Sequence, residues 1–172
     1  MKEKAEKLIG RLNEKRRLPH YLTILFAILF LLFFLIPFLR TNVGGEIAYM
    51  SGYESFALFT DHQDISHYGA AFLIVSLILA CVLFLPAGIG LLGEEKYLPK
   101  SSLSTIGIGI AKLVCEIIVT ILFSQTETNI ELSFGSYLVP SLTALFLFLF
   151  LVVYVNFRNS EKTIFENKRQ ED

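Results

Sequence analysis

The chain has 172 residues, of which 53% are hydrophobic and 18% are charged, and its mean hydropathy is +0.58. This composition is too apolar for a soluble domain of this length, so it indicates an integral membrane protein. The formal net charge at pH 7 is only −1. Both cysteines, Cys81 and Cys115, lie in apolar runs, which excludes a disulfide framework in the loops.

The first 18 residues have the pattern of an amphipathic helix. Apolar side chains recur at positions i, i+3, i+4 and i+7, with charged residues between them: Ala5, Leu8, Ile9 and Leu12. We expect this helix to lie on the inner membrane surface, where Lys15, Arg16 and Arg17 would contact anionic lipid. The alternative is a solvated basic tail that only fixes the orientation in the membrane. Pro19 is expected to separate this segment from the first span.

Four apolar runs are long enough to cross a bilayer: residues 21–39, 68–92, 103–123 and 137–157. A helix rises 1.5 Å per residue, so crossing roughly 30 Å of hydrocarbon takes about 17–25 residues. We therefore predict an all-α fold, an integral membrane four-helix bundle with an amphipathic surface helix at its N-terminus. Residues 1–172 form a single domain in this interpretation.

Basic residues predict the orientation of the bundle, because cytoplasmic flanks retain Lys and Arg during insertion. They are concentrated in residues 1–18, in the connector 93–102 and in the tail 158–172. The loops 40–67 and 124–136 instead carry more acids than bases, so we place them outside and both termini in the cytoplasm. This separation of charge favours contact with anionic lipid at the inner face and argues against nucleic acid binding.

The first outer loop, residues 40–67, is longer than most connections. It contains a turn signal at residues 42–45, and the residues 46–53 partly alternate between apolar and polar side chains. This pattern is compatible with a short strand or hairpin over the mouth of the bundle.

Two short elements in this region carry a resemblance. The first span ends in Ile36-Pro37-Phe38, and the outer loop contains Ser51-Gly52-Tyr53 followed by Glu54. In these elements the chain resembles a group of small, uncharacterised bacterial four-span membrane proteins, in which a Leu-Pro-Phe exit precedes a Ser/Thr-Gly-Tyr element. The resemblance implies a four-span topology and a bacterial envelope, and it implies no activity.

The third span contains two ionisable residues one helical turn apart, Lys112 and Glu116. Each opposes insertion by roughly 2.5–3.5 kcal/mol, so such residues usually face a protein interior, a wet cavity or each other. The pair is therefore the leading candidate site. It could be a structural ion pair, a proton or ion relay, or a site for a charged ligand. We favour the structural interpretation, because the other three spans contain no acidic residue to continue a pathway.

Small residues mark two further positions of helix contact. Gly107, Ala111 and Cys115 follow one another at four-residue spacing in the third span, a stripe that lets a neighbouring backbone approach. We expect this stripe to face inward together with the polar residues beside it. The second span ends with several residues that permit a kink or a close helix contact: Pro86, Gly88, Gly90 and Gly93.

Four residues near the start of the second span could in principle ligate a metal: Asp61, His62, Asp64 and His67. Imidazole and carboxylate suit zinc, but three or four ligands would have to converge. Asp64 is equally explained as a cap of the second helix, where a carboxylate favours the helix dipole. We predict no metal site and no cofactor.

The sequence contains none of the common hydrolase, metalloprotease or phosphate-loop motifs. A serine nucleophile would need a His or Lys partner, and all three histidines lie outside the apolar spans, although Ser76 could meet Lys112. We therefore predict a non-enzymatic protein of a bacterial cytoplasmic membrane that associates with itself or with another membrane protein. The alternative is a small transporter or channel subunit that uses Lys112 and Glu116.

Overall fold

A computed structural model describes residues 2–43, 45–57, 65–94, 97–125 and 130–171. Side chains are described for residues 17–42, 45–56, 67–94, 97–125, 131–156 and 158. The fold is mostly helical, as predicted. The helices are α1 (Lys2–Phe33), α2 (Ile65–Val82), α3 (Phe84–Leu92), α4 (Leu98–Ser124) and α5 (Phe134–Glu171).

Within the described ranges, three helical stretches are long and apolar enough to cross a membrane: His67–Leu92, Leu98–Ser124 and Phe134–Asn156. They coincide with the second, third and fourth predicted spans. The apolar part of α1, Arg17–Phe33, is shorter.

A small antiparallel sheet shows that the all-α prediction is incomplete. The strands are β1 (Pro37–Val43), β2 (Glu46–Ser51) and β3 (Ile130–Leu132), in the order β2-β1-β3. Strands β1 and β2 pair as an antiparallel hairpin, which is one of the two structures that the alternating pattern left open. The third strand brings the loop before α5 to the other edge of β1, where Arg40 pairs with Glu131.

The first predicted span, residues 21–39, is wrong at its C-terminal end. Helix α1 ends at Phe33, and the apolar residues Pro37 to Leu39 belong to β1. The N–H groups of Leu35 and Ile36 turn back to the carbonyls of residues 32 and 33, at 3.0 and 3.1 Å. Pro37 has no N–H with which to continue the helix, and it disfavours helical geometry for the residue before it.

The expected separation at Pro19 is also wrong, because α1 continues through this proline. The fixed φ of proline is compatible with a helix, and the missing N–H removes one helical hydrogen bond. The Thr23 hydroxyl donates to the Pro19 carbonyl at 2.9 Å within the same helix. The apolar stripe predicted for residues 1–18 falls on side chains that, up to residue 16, lie outside the described residues.

The second predicted span is interrupted at Leu83, between α2 and α3. Pro86, three residues later, cannot donate a hydrogen bond to the carbonyl of Val82. Hydrogen bonding resumes on both sides, from Leu83 N–H to Leu79 and from Ala87 N–H to Leu83. The irregularity predicted for this part of the chain is therefore present.

The helices enclose two apolar clusters. One lies at the end of the bundle that carries the sheet, here called the sheet end, and includes Phe34, Phe38, Leu73, Phe123 and Val139. The other lies toward the opposite end and includes Phe26, Phe30, Leu83, Phe146 and Phe150. In α4, Lys112 and Glu116 follow Ile106 and Ile108, which pack against the second cluster, and precede Val119 and Phe123, which belong to the first.

Candidate functional site

Lys112 and Glu116 are on the inward face of α4 and form an ion pair. Their side chains are 0% and 1% exposed, so both charged groups are enclosed by protein. Side chains four positions apart on a helix lie next to each other, which explains why the two charges meet. Burial of both charges makes their other contacts decisive for the stability of the bundle.

The Lys112 ammonium contacts three other helices. It donates to the Ser76 hydroxyl of α2 at 3.3 Å and to the Thr143 hydroxyl of α5 at 3.4 Å. It also lies 4.3 Å from the centroid of the Phe30 ring of α1. With Glu116 as the third oxygen partner, the three N–H donors of the ammonium have three acceptors.

The two hydroxyl protons point away from the ammonium. Ser76 donates its proton to Oε1 of Glu116 at 3.1 Å, and Thr143 donates its proton to the carbonyl of Val139 at 3.1 Å. Each hydroxyl therefore presents lone pairs to Lys112. The result is a set of oxygens oriented around a positive charge, which we call the ammonium site: Ser76, Glu116, Thr143 and the Phe30 ring.

Sequence reasoning found the ion pair but missed most of the ammonium site. The sequence offers Ser76 as a possible partner of Lys112 but gives no reason to place them together, and it contains no comparable signal for Thr143 or Phe30. Single hydroxyls in apolar helices are weak signals, because they commonly bond to the carbonyl one turn earlier. Thr143 does make such a bond.

One atom of the site has no partner. Oε2 of Glu116 is buried and makes no hydrogen bond within the described part of the chain. A buried carboxylate oxygen without a donor is costly, so this atom is the part of the site that could accept a further group.

The stripe of small residues faces outward, so the expectation that it faces the interior is wrong. Gly107 and Ala111 are exposed and Cys115 is partly buried. Among described atoms, nothing lies within 4 Å of a Cβ built on Gly107. Successive helix positions differ by 100°, and Ala111 and Cys115 directly precede the two charged residues. The charges occupy the interior and the stripe is rotated outward.

The close helix contact predicted for the end of the second span is present at Gly90. A Cβ at this position would overlap the His20 ring, so α1 and α3 approach here only because residue 90 is glycine. The Ser101 hydroxyl donates to the Pro86 carbonyl at 2.6 Å and lies 3.4 Å from Nδ1 of His20. Because Ser101 has given its proton to Pro86, Nδ1 of His20 is the donor in the second contact.

The element Ser51-Gly52-Tyr53, which lies between α1 and α2, has a local structural explanation. The N–H of Ser51 donates to Oε2 of Glu54 at 2.7 Å, and the N–H of Glu54 donates to the Ser51 hydroxyl at 3.2 Å. This reciprocal pair is a capping box at the start of the 3-10 helix Glu54–Ala57. The N–H of Ser51 lowers the pKa of the Glu54 carboxyl, and the Ser51 hydroxyl adds to the effect.

The same element also closes the end of α1. The Tyr53 hydroxyl donates to the carbonyl of Leu31 at 3.1 Å, and the Tyr53 N–H donates to the carbonyl of Phe34 at 3.4 Å. A Cβ at Gly52 would lie 2.8 Å from the Phe34 ring, so the close approach requires glycine. The last carbonyls of a helix lack partners within it, and Tyr53 supplies one.

The metal candidates Asp61, His62 and Asp64 lie outside the described residues. His67 lies in the first turn of α2 and packs its ring against Tyr68 at a centroid distance of 5.8 Å. Within the part of the chain that the structure describes, no three His, Cys, Asp or Glu residues form a group that could hold a metal ion. The absence of a metal stays a prediction.

Comparison with known protein families, with curated proteins and with solved structures found no match to this chain.

Proposed function

We propose that the chain is a non-enzymatic integral membrane protein of a bacterial cytoplasmic membrane that acts by associating with itself or with another membrane protein. The observation that carries this proposal is the outward stripe Gly107, Ala111 and Cys115 on α4, which presents small residues where apolar side chains would suffice for contact with lipid. The contacts of the charged pair with Ser76, Thr143 and Phe30 link α4 to the other three long helices.

The proposed topology has four crossings and cytoplasmic termini. Helix α1 passes from His20, which lies against Gly90, to Phe33, and the next residue, Phe34, packs at the sheet end. Between them Phe26 lies 5.1 Å from Phe146 of α5. The 17 residues of Arg17–Phe33 span about 25 Å, and the buried residues Phe34, Phe38 and Leu39 extend this apolar length. With four crossings both termini share one side, and the basic flanks place it in the cytoplasm.

The stripe suits a helix of a second copy. Apolar side chains flank it and are about half exposed: Ile110, Val114 and Ile117. In a bilayer, helices associate through packing of small residues, because lipid already satisfies apolar surface. A glycine inside a helix costs about 1 kcal/mol relative to alanine, a cost that close approach to another backbone can offset.

The orientation of two serines supports a non-enzymatic role. Ser76 is near Lys112 and Ser101 is near His20, so each has a potential base as a neighbour. Ser76 donates its proton to Glu116 and Ser101 donates to Pro86. A nucleophilic serine must instead give its proton to the base.

A transporter or channel subunit is the second candidate, and the unpartnered Oε2 of Glu116 favours it. Ion-translocating carboxylates in membranes need a free oxygen that faces a pathway. The enclosure of both charges and the matched donors of Lys112 favour the structural role.

Self-association is tested by energy transfer between labelled copies of the full chain in lipid vesicles. Gly107→Leu should weaken association by roughly tenfold, equivalent to about 1.4 kcal/mol, because leucine separates the backbones. The matched control is Gly88→Leu, since Gly88 also lies in an apolar helix with nothing within 4 Å. A wild-type chain that stays monomeric, or equal effects of the two variants, would contradict self-association through the stripe.

A further inference from the structure

The contacts of Lys112 have the geometry of a ligand site that is filled by the chain itself. We infer that Ser76, Glu116, Thr143 and Phe30 form a binding site for a primary ammonium ion, in which the Lys112 side chain is the resident ligand. This inference concerns how the bundle binds the ammonium group at its centre and is independent of self-association through α4.

The number of acceptors matches a primary ammonium group. Such a group has three N–H donors, and the site supplies Ser76 Oγ at 3.3 Å, Thr143 Oγ1 at 3.4 Å and Oε1 of Glu116. The acceptors come from three helices, so each distance depends on helix packing rather than on one flexible segment.

The hydrogen bonds of the hydroxyls select for a cation. Because Ser76 donates to Glu116 and Thr143 donates to Val139, neither hydroxyl proton is available to a ligand. Both oxygens therefore act only as acceptors toward the group at the centre. An anion or a hydrogen-bond acceptor would find no donor among these two hydroxyls.

The remaining contacts also favour an ammonium ion. The Phe30 ring centroid is 4.3 Å from Nζ, which is within the range for attraction of a cation by an aromatic face. Oε2 of Glu116 is buried and has no partner in the described part of the chain, so the carboxylate has acceptor capacity beyond what Lys112 uses. A second ligand atom with an N–H donor could use this oxygen.

Shortening Lys112 should therefore vacate a preformed site. The change Lys112→Ala removes three carbons and the amino group, which are the atoms of n-propylammonium. This ion is charged at neutral pH, as lysine is. It should restore both the apolar packing and the charge that the substitution removes.

The test is the melting temperature of purified full-length Lys112→Ala as a function of added n-propylammonium chloride. We expect the ion to raise the midpoint at concentrations about tenfold lower than 1-propanol, which has a similar shape and no charge. Sodium chloride and tetramethylammonium chloride should have little effect, because neither ion offers N–H donors. Wild type should not respond, since Lys112 fills the site.

Three further comparisons decide the assignment. Lys100→Ala removes an exposed lysine of the same helix and should not respond to propylammonium. Adding Thr143→Val to Lys112→Ala should reduce the rise in melting temperature that propylammonium causes. Adding Glu116→Gln to Lys112→Ala should make propylammonium no more effective than 1-propanol. Equal rescue by propanol would overturn the inference, as would equal rescue by sodium or an unchanged response in the Glu116→Gln background.

If Lys112→Ala does not accumulate as folded protein, the same compounds are added during expression. The amount of folded chain in the membrane then replaces the melting temperature. More folded protein with propylammonium than with propanol supports the site, and equal amounts overturn it.

Discussion

The Lys112 ammonium lies 4.3 Å from the centroid of the Phe30 ring, so a charge carried by α4 is held against an aromatic face of α1. Phe30 is fully buried and its ring also packs edge-on against Phe146 of α5, at 5.8 Å between centroids. The charge is thus part of the packing of the bundle. Ion pair and apolar core should respond together when either is changed.

The first prediction is that Lys112 and Glu116 compensate each other. Glu116→Leu leaves the buried ammonium without its carboxylate and should cost about 3–5 kcal/mol, whereas replacing both charges with apolar residues can be nearly neutral. The single variant should therefore reduce folded protein in the membrane more than Lys112→Met combined with Glu116→Leu. A double variant that is at least as damaging as the single one would show that the charges do not compensate.

Gly90→Ala should destabilise the bundle, because the added methyl group would overlap the His20 ring. Overpacking of this kind typically costs about 1–3 kcal/mol. Gly88→Ala is the control, since it makes the same change two residues away where nothing lies within 4 Å. Thermal unfolding in one detergent compares the two variants, and equal midpoints would argue against the His20 contact.

The capping box predicts a pH dependence. The folded-state pKa of Glu54 is lowered by hydrogen bonds from Ser51, so its carboxylate stabilises the fold above its ordinary pKa of 4.5. This contribution should be lost as the pH falls through the lowered pKa. The difference in melting temperature between wild type and Glu54→Gln should be constant near neutral pH and shrink below 4.5. A difference that persists unchanged in acid would exclude the carboxylate as the cause.

The predicted topology places residue 172 in the cytoplasm. Two reporters are fused after this residue, one that functions only in the cytoplasm and one that functions only in the periplasm. We expect activity from the first and none from the second. The control is a fusion within the acidic loop 124–136, where the two reporters should show the opposite pattern. If only the periplasmic reporter is active at the C-terminus, the topology with four crossings and both termini in the cytoplasm is wrong.

The main helices could be predicted because each is a long apolar run in the sequence. Such a run identifies the helix whichever elements pack against it. The end of α1 was not predictable by hydropathy, since Phe38 and Leu39 are as apolar in β1 as in a helix. Pro37 was the local signal for this change. The three residues of β3, Ile130 to Leu132, carry too short a pattern to identify a strand.

The ion pair was predictable because charge in an apolar run must have a partner. Its further partners were not, because Ser76 and Thr143 come from helices whose rotation about their axes is set by packing. For the same reason, the direction in which the stripe Gly107, Ala111 and Cys115 faces could not be predicted. Small residues fit both an interior contact and an outward one, and only the rotation of α4 distinguishes them.

The structural role of the ion pair is tested most directly by Glu116→Gln in reconstituted vesicles, with ion flux and melting temperature measured on the same preparations. The amide cannot neutralise Lys112, so we predict a midpoint lower by about 5–15 °C and no ion flux that depends on residue 116. Ion flux through the wild-type protein that vanishes in Glu116→Gln, with an unchanged melting temperature, would contradict the account and support a transporter.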